Sequence, residues 1–158
     1  MTVINLAYTA PINPSGVSPV LTEAQVWTGL KRKVRRAYEF VPVIVDCKVI
    51  SEDGDTTIRE ATFKGNPKPV REVCVHLAPS RVDFKQEDGS NISNIVSKGP
   101  DGSLQMTYAF EWRHPDIAAG SEEESQLREK YEGAQLSKVA VEGSIDTIRR
   151  LVKEGEIQ

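Results

Sequence analysis

The sequence predicts an α+β protein: a curved antiparallel sheet of about six to seven strands wrapped on one long C-terminal helix, with two short helices after the first strand. Three observations predict it. From Leu104 to Trp112 the chain alternates without a miss, with Leu104, Met106, Tyr108, Phe110 and Trp112 on one side and Gln105, Thr107, Ala109 and Glu111 on the other. Side chains on a strand alternate between faces, so this is a strand with one large apolar face. Second, short alternating runs between residues 43 and 112 are separated by turn signals, the pattern of an antiparallel meander. Third, Leu127, Tyr131, Ala134, Val141, Ile145, Ile148 and Val152 recur at helical steps and form a single face. A sheet with one apolar face and a long amphipathic helix can bury each other.

In chain order, residues 2–9 read as a first strand, and Pro11, Pro14, Gly16 and Pro19 make a stiff loop. Thr22 through Gln25 fits a capping box, in which both side chains satisfy orphan amides of a helix start. That helix runs through Val26, Trp27 and Leu30, with a second short one to about Tyr38, and Pro42 ends it. Residues 43–51 alternate as Val43, Val45, Cys47 and Val49 against Ile44, Asp46, Lys48 and Ile50. Asp53-Gly54 is a turn of the kind that closes hairpins. Strands at 56–64 and 70–77 follow, joined across Gly65 to Pro69. Residues 81–87 place Val82 and Phe84 inside; Asp88-Gly89, a strand at 91–97 and Gly99 to Gly102 lead to the aromatic strand. Ser121 followed by three glutamates marks the start of the terminal helix, with a cap hydroxyl and acids at the positive end of its dipole. Gly133, Ser137, Ala140, Gly143 and Ser144 are small; they fit either close packing on the sheet or room left above it for a ligand.

The chain of 158 residues fits one domain spanning 1–158. At that length roughly 70% of the unfolded surface can be buried without a disulfide or metal. Its 27% charged and 39% hydrophobic residues are ordinary for a soluble protein. A net charge of −3 argues against a nucleic-acid binder, which needs a basic face. Cys47 and Cys74 lie in apolar runs and read as buried thiols in a reducing compartment. The N-terminus lacks a basic stretch followed by an apolar one, and no apolar run approaches the ~20 residues of a spanning helix. A cytoplasmic protein without integral membrane contact is expected.

Specific words join the element order: Phe40-Val41-Pro42, Ile58-Arg59-Glu60, Arg81-Val82-Asp83-Phe84, Ser93-Asn94-Ile95-Val96-Ser97, Thr107-Tyr108, and Glu111 through Asp116. With them the chain resembles the START-like helix-grip fold of the SRPBCC superfamily, and within it the AtaL-like subgroup of short proteins mostly without assigned function. The superfamily includes lipid carriers, hormone receptors, polyketide cyclases and aromatases, which bind an apolar molecule between sheet and terminal helix. The resemblance implies a cavity, not a reaction.

Candidate chemistry is sparse. If Lys64 faces Val70 across the hairpin, Arg59, Ala61 and Phe63 share the concave face with Arg71, Val73, Val75 and Leu77. Two arginines then lie at the cavity, needing a carboxylate such as Glu60 or Glu111, or a polar ligand group; alternatively they snorkel to water from strand ends. The same parity puts His76 and Cys74 on the convex face. His76 and His114 show no metal-ligand spacing. His114-Pro115-Asp116 spells the J-domain tripeptide, but it follows a strand rather than joining two helices. The basic run Lys31 to Arg36 reads as a solvated helix face, with an anionic membrane or acidic partner as the alternative. No nucleophile elbow or phosphate-binding glycine loop is present. Glu111 falls on the back face.

The expectation is therefore binding of a hydrophobic small molecule: lipid-like, polyketide or another natural-product intermediate. The expected site is Arg59, Phe63, Arg71, Val73, Val75, Met106, Tyr108, Phe110, Trp112 and Tyr131, with Ala134 and Val141 on the lid helix. Arg59 and Arg71 would orient a polar end. No cofactor, metal or nucleic acid is expected. The rival expectation is a cofactor-independent cyclase, dehydratase or isomerase in natural-product biosynthesis, acting in the same cavity by folding its substrate.

Overall fold

The computed structural model describes residues 1–158. Its strands are β1 (Thr2–Pro11), β2 (Ile44–Asp53), β3 (Thr56–Phe63), β4 (Val70–Leu77), β5 (Arg81–Gln86), β6 (Asn91–Lys98) and β7 (Leu104–His114). Its helices are α1 (Glu23–Arg35), α2 (Glu122–Gly133) and α3 (Leu136–Lys153), with a 3₁₀ turn at Ala37–Glu39. All seven strands form one antiparallel sheet in the order β1-β7-β6-β5-β4-β3-β2. The chain lays down one edge, crosses by α1 to the other, and meanders back until β7 pairs with β1.

Local chemistry explains the element ends. Thr22 Oγ1 accepts from the Gln25 amide at 3.1 Å, and Gln25 Oε1 accepts from the Thr22 amide at 2.9 Å, which closes the expected capping box. Gly54 and Gly89 turn their hairpins with φ of 56° and 87°, a region that costs other residues energy. α1 and α3 both cover the concave face of the sheet. They meet at Gly29, where an added Cβ would lie 2.5 Å from Ile148 Cγ1, so only glycine permits this approach. The main core gathers Val26, Leu30 and Val34 of α1, Val82, Phe84, Met106 and Tyr108 of the sheet, and Val141, Ile145 and Ile148 of α3.

Three expectations are corrected. The terminal helix is not continuous from Ser121: Gln135 adopts a left-handed conformation (φ 49°, ψ 44°) and divides it into α2 and α3. α2 buries none of its residues, whereas α3 buries Val141, Ser144, Ile145, Ile148 and Leu151. Leu127, Tyr131 and Ala134 therefore do not extend the α3 face, and Ala134 is exposed.

The β3–β4 register also differs. Ala61, not Lys64, faces Val70; Arg59 faces Glu72, and Glu60 faces Arg71. An odd shift in register moves every side chain of a strand to the other face. Arg71, Val73 and Val75 thus lie on the convex face, and Glu72, Cys74 and His76 on the concave one. In β2, bulges between Ile44 and Asp46 and between Val49 and Ser51 break the alternation. Ile44 is buried and Val45 is exposed, the reverse of the simple pattern. No helix is long and apolar enough to cross a membrane.

Candidate functional site

The core does not fill the whole space between sheet and helices. A half-open cavity of about 140 Å³ remains, lined by 16 residues of which 12 are hydrophobic. Leu6 of β1, Phe63 of β3, Phe84 of β5, Ile92 of β6 and Tyr108, Phe110 and Trp112 of β7 form the sheet side. Val41, Val43 and Ile44 close one end, and Leu136 and Ala140 of α3 close the top. An apolar cavity of roughly 150 Å³ holds a benzene-sized guest, so the enclosed space suits about one aromatic ring.

Lys33, Arg59, Glu72 and Gln86 supply the polar part of the lining. Arg59 Nε and Nη2 both donate to Glu72 Oε1, at 3.0 and 2.8 Å, and Gln86 Nε2 donates to Glu72 Oε2 at 3.1 Å. Arg59 Nη1 donates to the carbonyls of Lys33 and Val34 at 3.1 and 2.9 Å. The guanidinium therefore caps the C-terminal end of α1, where orphan carbonyls and the dipole favour a cation. Burial is the largest single influence and works against the Arg59 cation, but the Glu72 carboxylate together with Cys74 and Cys47 outweighs it and holds the guanidinium charged.

Lys33 is 7% exposed and makes no such pair. Its Nζ donates to Asn94 Oδ1 at 2.7 Å and sits 4.5 Å from the Tyr108 ring centre and 5.2 Å from that of Phe84. Burial, reinforced by the Arg59 charge and opposed by Glu72, pulls its pKa from 10.5 down to about 7. Burial pushes the Cys74 thiol up to about 12 and raises the Tyr108 hydroxyl, so both stay protonated. The Tyr108 hydroxyl, Asn94 Nδ2 and Ser144 Oγ are buried without a well-formed hydrogen bond, which is uncommon for buried polar groups.

Of the residues expected from sequence, Arg59, Phe63, Tyr108, Phe110 and Trp112 line this cavity. Met106 faces the same way but is packed in the core. Arg71, Val73 and Val75 are on the opposite face, where Arg71 pairs with Glu60 at 3.2 Å. Tyr131 on α2 instead places its hydroxyl 3.2 Å from His114 Nε2, outside the lining. Val141 is in the core and is replaced in the lining by Leu136 and Ala140. His76 contacts Trp27 edge-on at the concave rim, and Glu111 binds Arg113 away from the cavity.

Sequence reasoning missed Lys33, Glu72 and Asn94. Lys33 had a signal: Val26, Gly29, Leu30, Lys33 and Val34 fall at i, i+3, i+4, i+7 and i+8, the buried stripe of a helix. The basic run is accordingly not one solvated face. Lys33 points inward, while Arg32 pairs with Glu39 and Glu156 and Arg35 with Glu52.

A curved antiparallel sheet gripping a C-terminal helix, with an apolar cavity between them, defines the helix-grip class of the SRPBCC-like superfamily. The family model described as acetylaranotin biosynthesis cluster protein L (AtaL) matches residues 6–155, and the chain belongs to that family. It is 30% identical over 156 residues to the acetylaranotin biosynthesis cluster protein L of Aspergillus terreus (strain NIH 2624 / FGSC A1156), covering 98% of this chain and 93% of that one. The fold is shared with the Zhui aromatase/cyclase from Streptomyces sp. R1128: TM-score 0.62, 15% identity, 96% of each chain. It is shared too with the di-domain aromatase/cyclase StfQ of the steffimycin biosynthetic pathway, at TM-score 0.68 and 11% identity over 98% of this chain. This chain spans about half of that larger protein, 52% of its length.

Proposed function

We propose that the protein binds a small aromatic natural-product intermediate, such as a polyketide fragment, in the cavity between sheet and α3. Residues 1–158 work as one domain in this reading. The observation that carries it is the composition of the lining: an apolar enclosure with a single polar end made by Lys33, Arg59, Glu72 and Gln86. Binding sites of this kind take affinity from buried area and orientation from a few polar groups. The biosynthesis-cluster relative and the aromatase/cyclase neighbours support a ligand of that class.

A catalytic reading on the same cavity, as a cyclase, dehydratase or isomerase, is favoured by one observation. Lys33, whose pKa is lowered to about 7, sits over the ring of Tyr108, whose hydroxyl stays protonated.

Trp112 stacks on Phe110 at 5.8 Å and reports on the cavity. Its fluorescence is titrated with phenols, naphthols, fatty acids and sterols in a Trp27→Phe background. Saturable quenching by one-ring aromatics, and none by sterols, is expected from the cavity size. A flat response to the whole panel would sink the proposal.

A further inference from the structure

We infer that Lys33 is a nucleophilic amine that condenses with a carbonyl group of the cavity's ligand to form a covalent imine. This rests on the ligand-binding reading above and names the chemical class of ligand: a small aromatic aldehyde or ketone.

The inference starts from what surrounds the amine. A lysine retained as an ion needs acceptors for three N–H groups and, when buried, a carboxylate. Lys33 has one acceptor, Asn94 Oδ1, and takes part in no salt bridge. The carboxylate of the same cluster is already committed, Glu72 Oε1 to Arg59 and Oε2 to Gln86. Two aromatic faces, Phe84 and Tyr108, cover the rest of the ammonium position. Lys33 is one of the residues that line the cavity. The ring faces attract an ammonium but give it no hydrogen-bond acceptor, so the charged form has one acceptor, Asn94 Oδ1, for three N–H groups, and the neutral amine leaves fewer of them unsatisfied. A desolvated lysine beside another cation is a recognised way to activate this nucleophile. With its pKa lowered to about 7, roughly half of Lys33 is uncharged at neutral pH, against well under 1% for an exposed lysine.

The step balances without an oxidant or reductant. The Nζ lone pair attacks the carbonyl carbon and the C–N bond forms. The C=O electron pair moves to oxygen, which takes a proton, and the nitrogen loses one, giving a carbinolamine. Loss of the second N–H proton and departure of the hydroxyl as water leave the C=N bond. The net change is amine plus carbonyl to imine plus one water. Tyr108, whose ring lies against Lys33, carries a buried hydroxyl beside Ser144.

The test uses the 158-residue chain with benzaldehyde and sodium cyanoborohydride, which traps an imine as a stable secondary amine. Intact-mass spectrometry and peptide mapping locate the adduct. Benzyl alcohol, of the same size but without the carbonyl, reports cavity occupancy alone through Trp112. The expected result is one adduct per chain, on Lys33, suppressed by excess benzyl alcohol and absent in Lys33→Met. The wild-type competition decides the matter even if that variant folds poorly. Adducts spread over surface lysines, or insensitive to benzyl alcohol, overturn the inference. Binding of benzyl alcohol without a Lys33 adduct overturns it while leaving the cavity reading intact. Binding of neither compound overturns both.

Discussion

Lys33 makes stability depend on pH in a direction that follows from its surroundings. It faces Arg59, Glu72, Cys74, Asn94 and Tyr108 across the sheet and the rest of α1 on its own element. Unfolded, it titrates near 10.5; folded, at about 7. Below pH 7 both states carry the proton, and the native state bears the full cost of a buried ammonium. Between these values the unfolded chain holds the proton and the native state releases it, so stability rises with pH, by at most roughly 5 kcal/mol. Above 10.5 the gain is complete. Lys33→Met removes the titration, while the Asn94 carbonyl loses its donor at every pH. The stability of Lys33→Met relative to wild type should therefore fall steadily from pH 6 to pH 10 in urea unfolding. A gap that stays constant would show that Lys33 is not held neutral by burial.

Strand register decides what the two arginines of the β3–β4 hairpin do. Arg59, opposite Glu72, is 3% exposed and ties β3, β4 and the end of α1 together. Arg59→Met leaves Glu72 charged and buried with Gln86 as its only partner. Breaking a buried pair from one side costs about 3–5 kcal/mol. Arg71, opposite Glu60 on the convex face, is a surface pair, and Arg71→Ala should change stability by no more than about 0.5 kcal/mol. Comparable losses in chemical denaturation would contradict the register. The elements themselves were legible, because Asp-Gly turns and period-two alternation are local signals: β5, β6, β7 and the α1 cap all lie where the pattern puts them. Register was not, because the segment from Gly65 to Pro69 fixes no turn type and the apolar Val73 and Val75 imitate an inward face. Ile58 lies outward beside Glu60 in either pairing and does not discriminate; in the true one it faces Val73 on the convex side. The bulges of β2 and the left-handed Gln135 are single-residue departures that periodicity averages away.

The molecule as a whole grips α3 unevenly: the C-terminal half of that helix is packed into the core, while Leu136 and Ala140 near its start roof the cavity. The aromatic floor of β7 was readable from alternation alone, since Tyr108, Phe110 and Trp112 share a face whatever covers them. The roof was not, because it depends on where the terminal helix breaks, and the break moved Ala134 to solvent and brought Ala140 over the floor. Two alanines six residues apart thus make a discriminating pair. Ala140→Phe puts a ring into space that is empty of protein atoms, so the change adds apolar contact without forcing a filled core to repack. It should abolish quenching of Trp112 by one-ring aromatics while leaving the thermal midpoint unchanged or higher. Ala134→Phe adds the same ring on the exposed side of the break and should leave binding as in wild type. Retained affinity in a folded Ala140→Phe variant would place the ligand elsewhere, and lost affinity in Ala134→Phe would mean that α2 swings over the opening when a ligand enters.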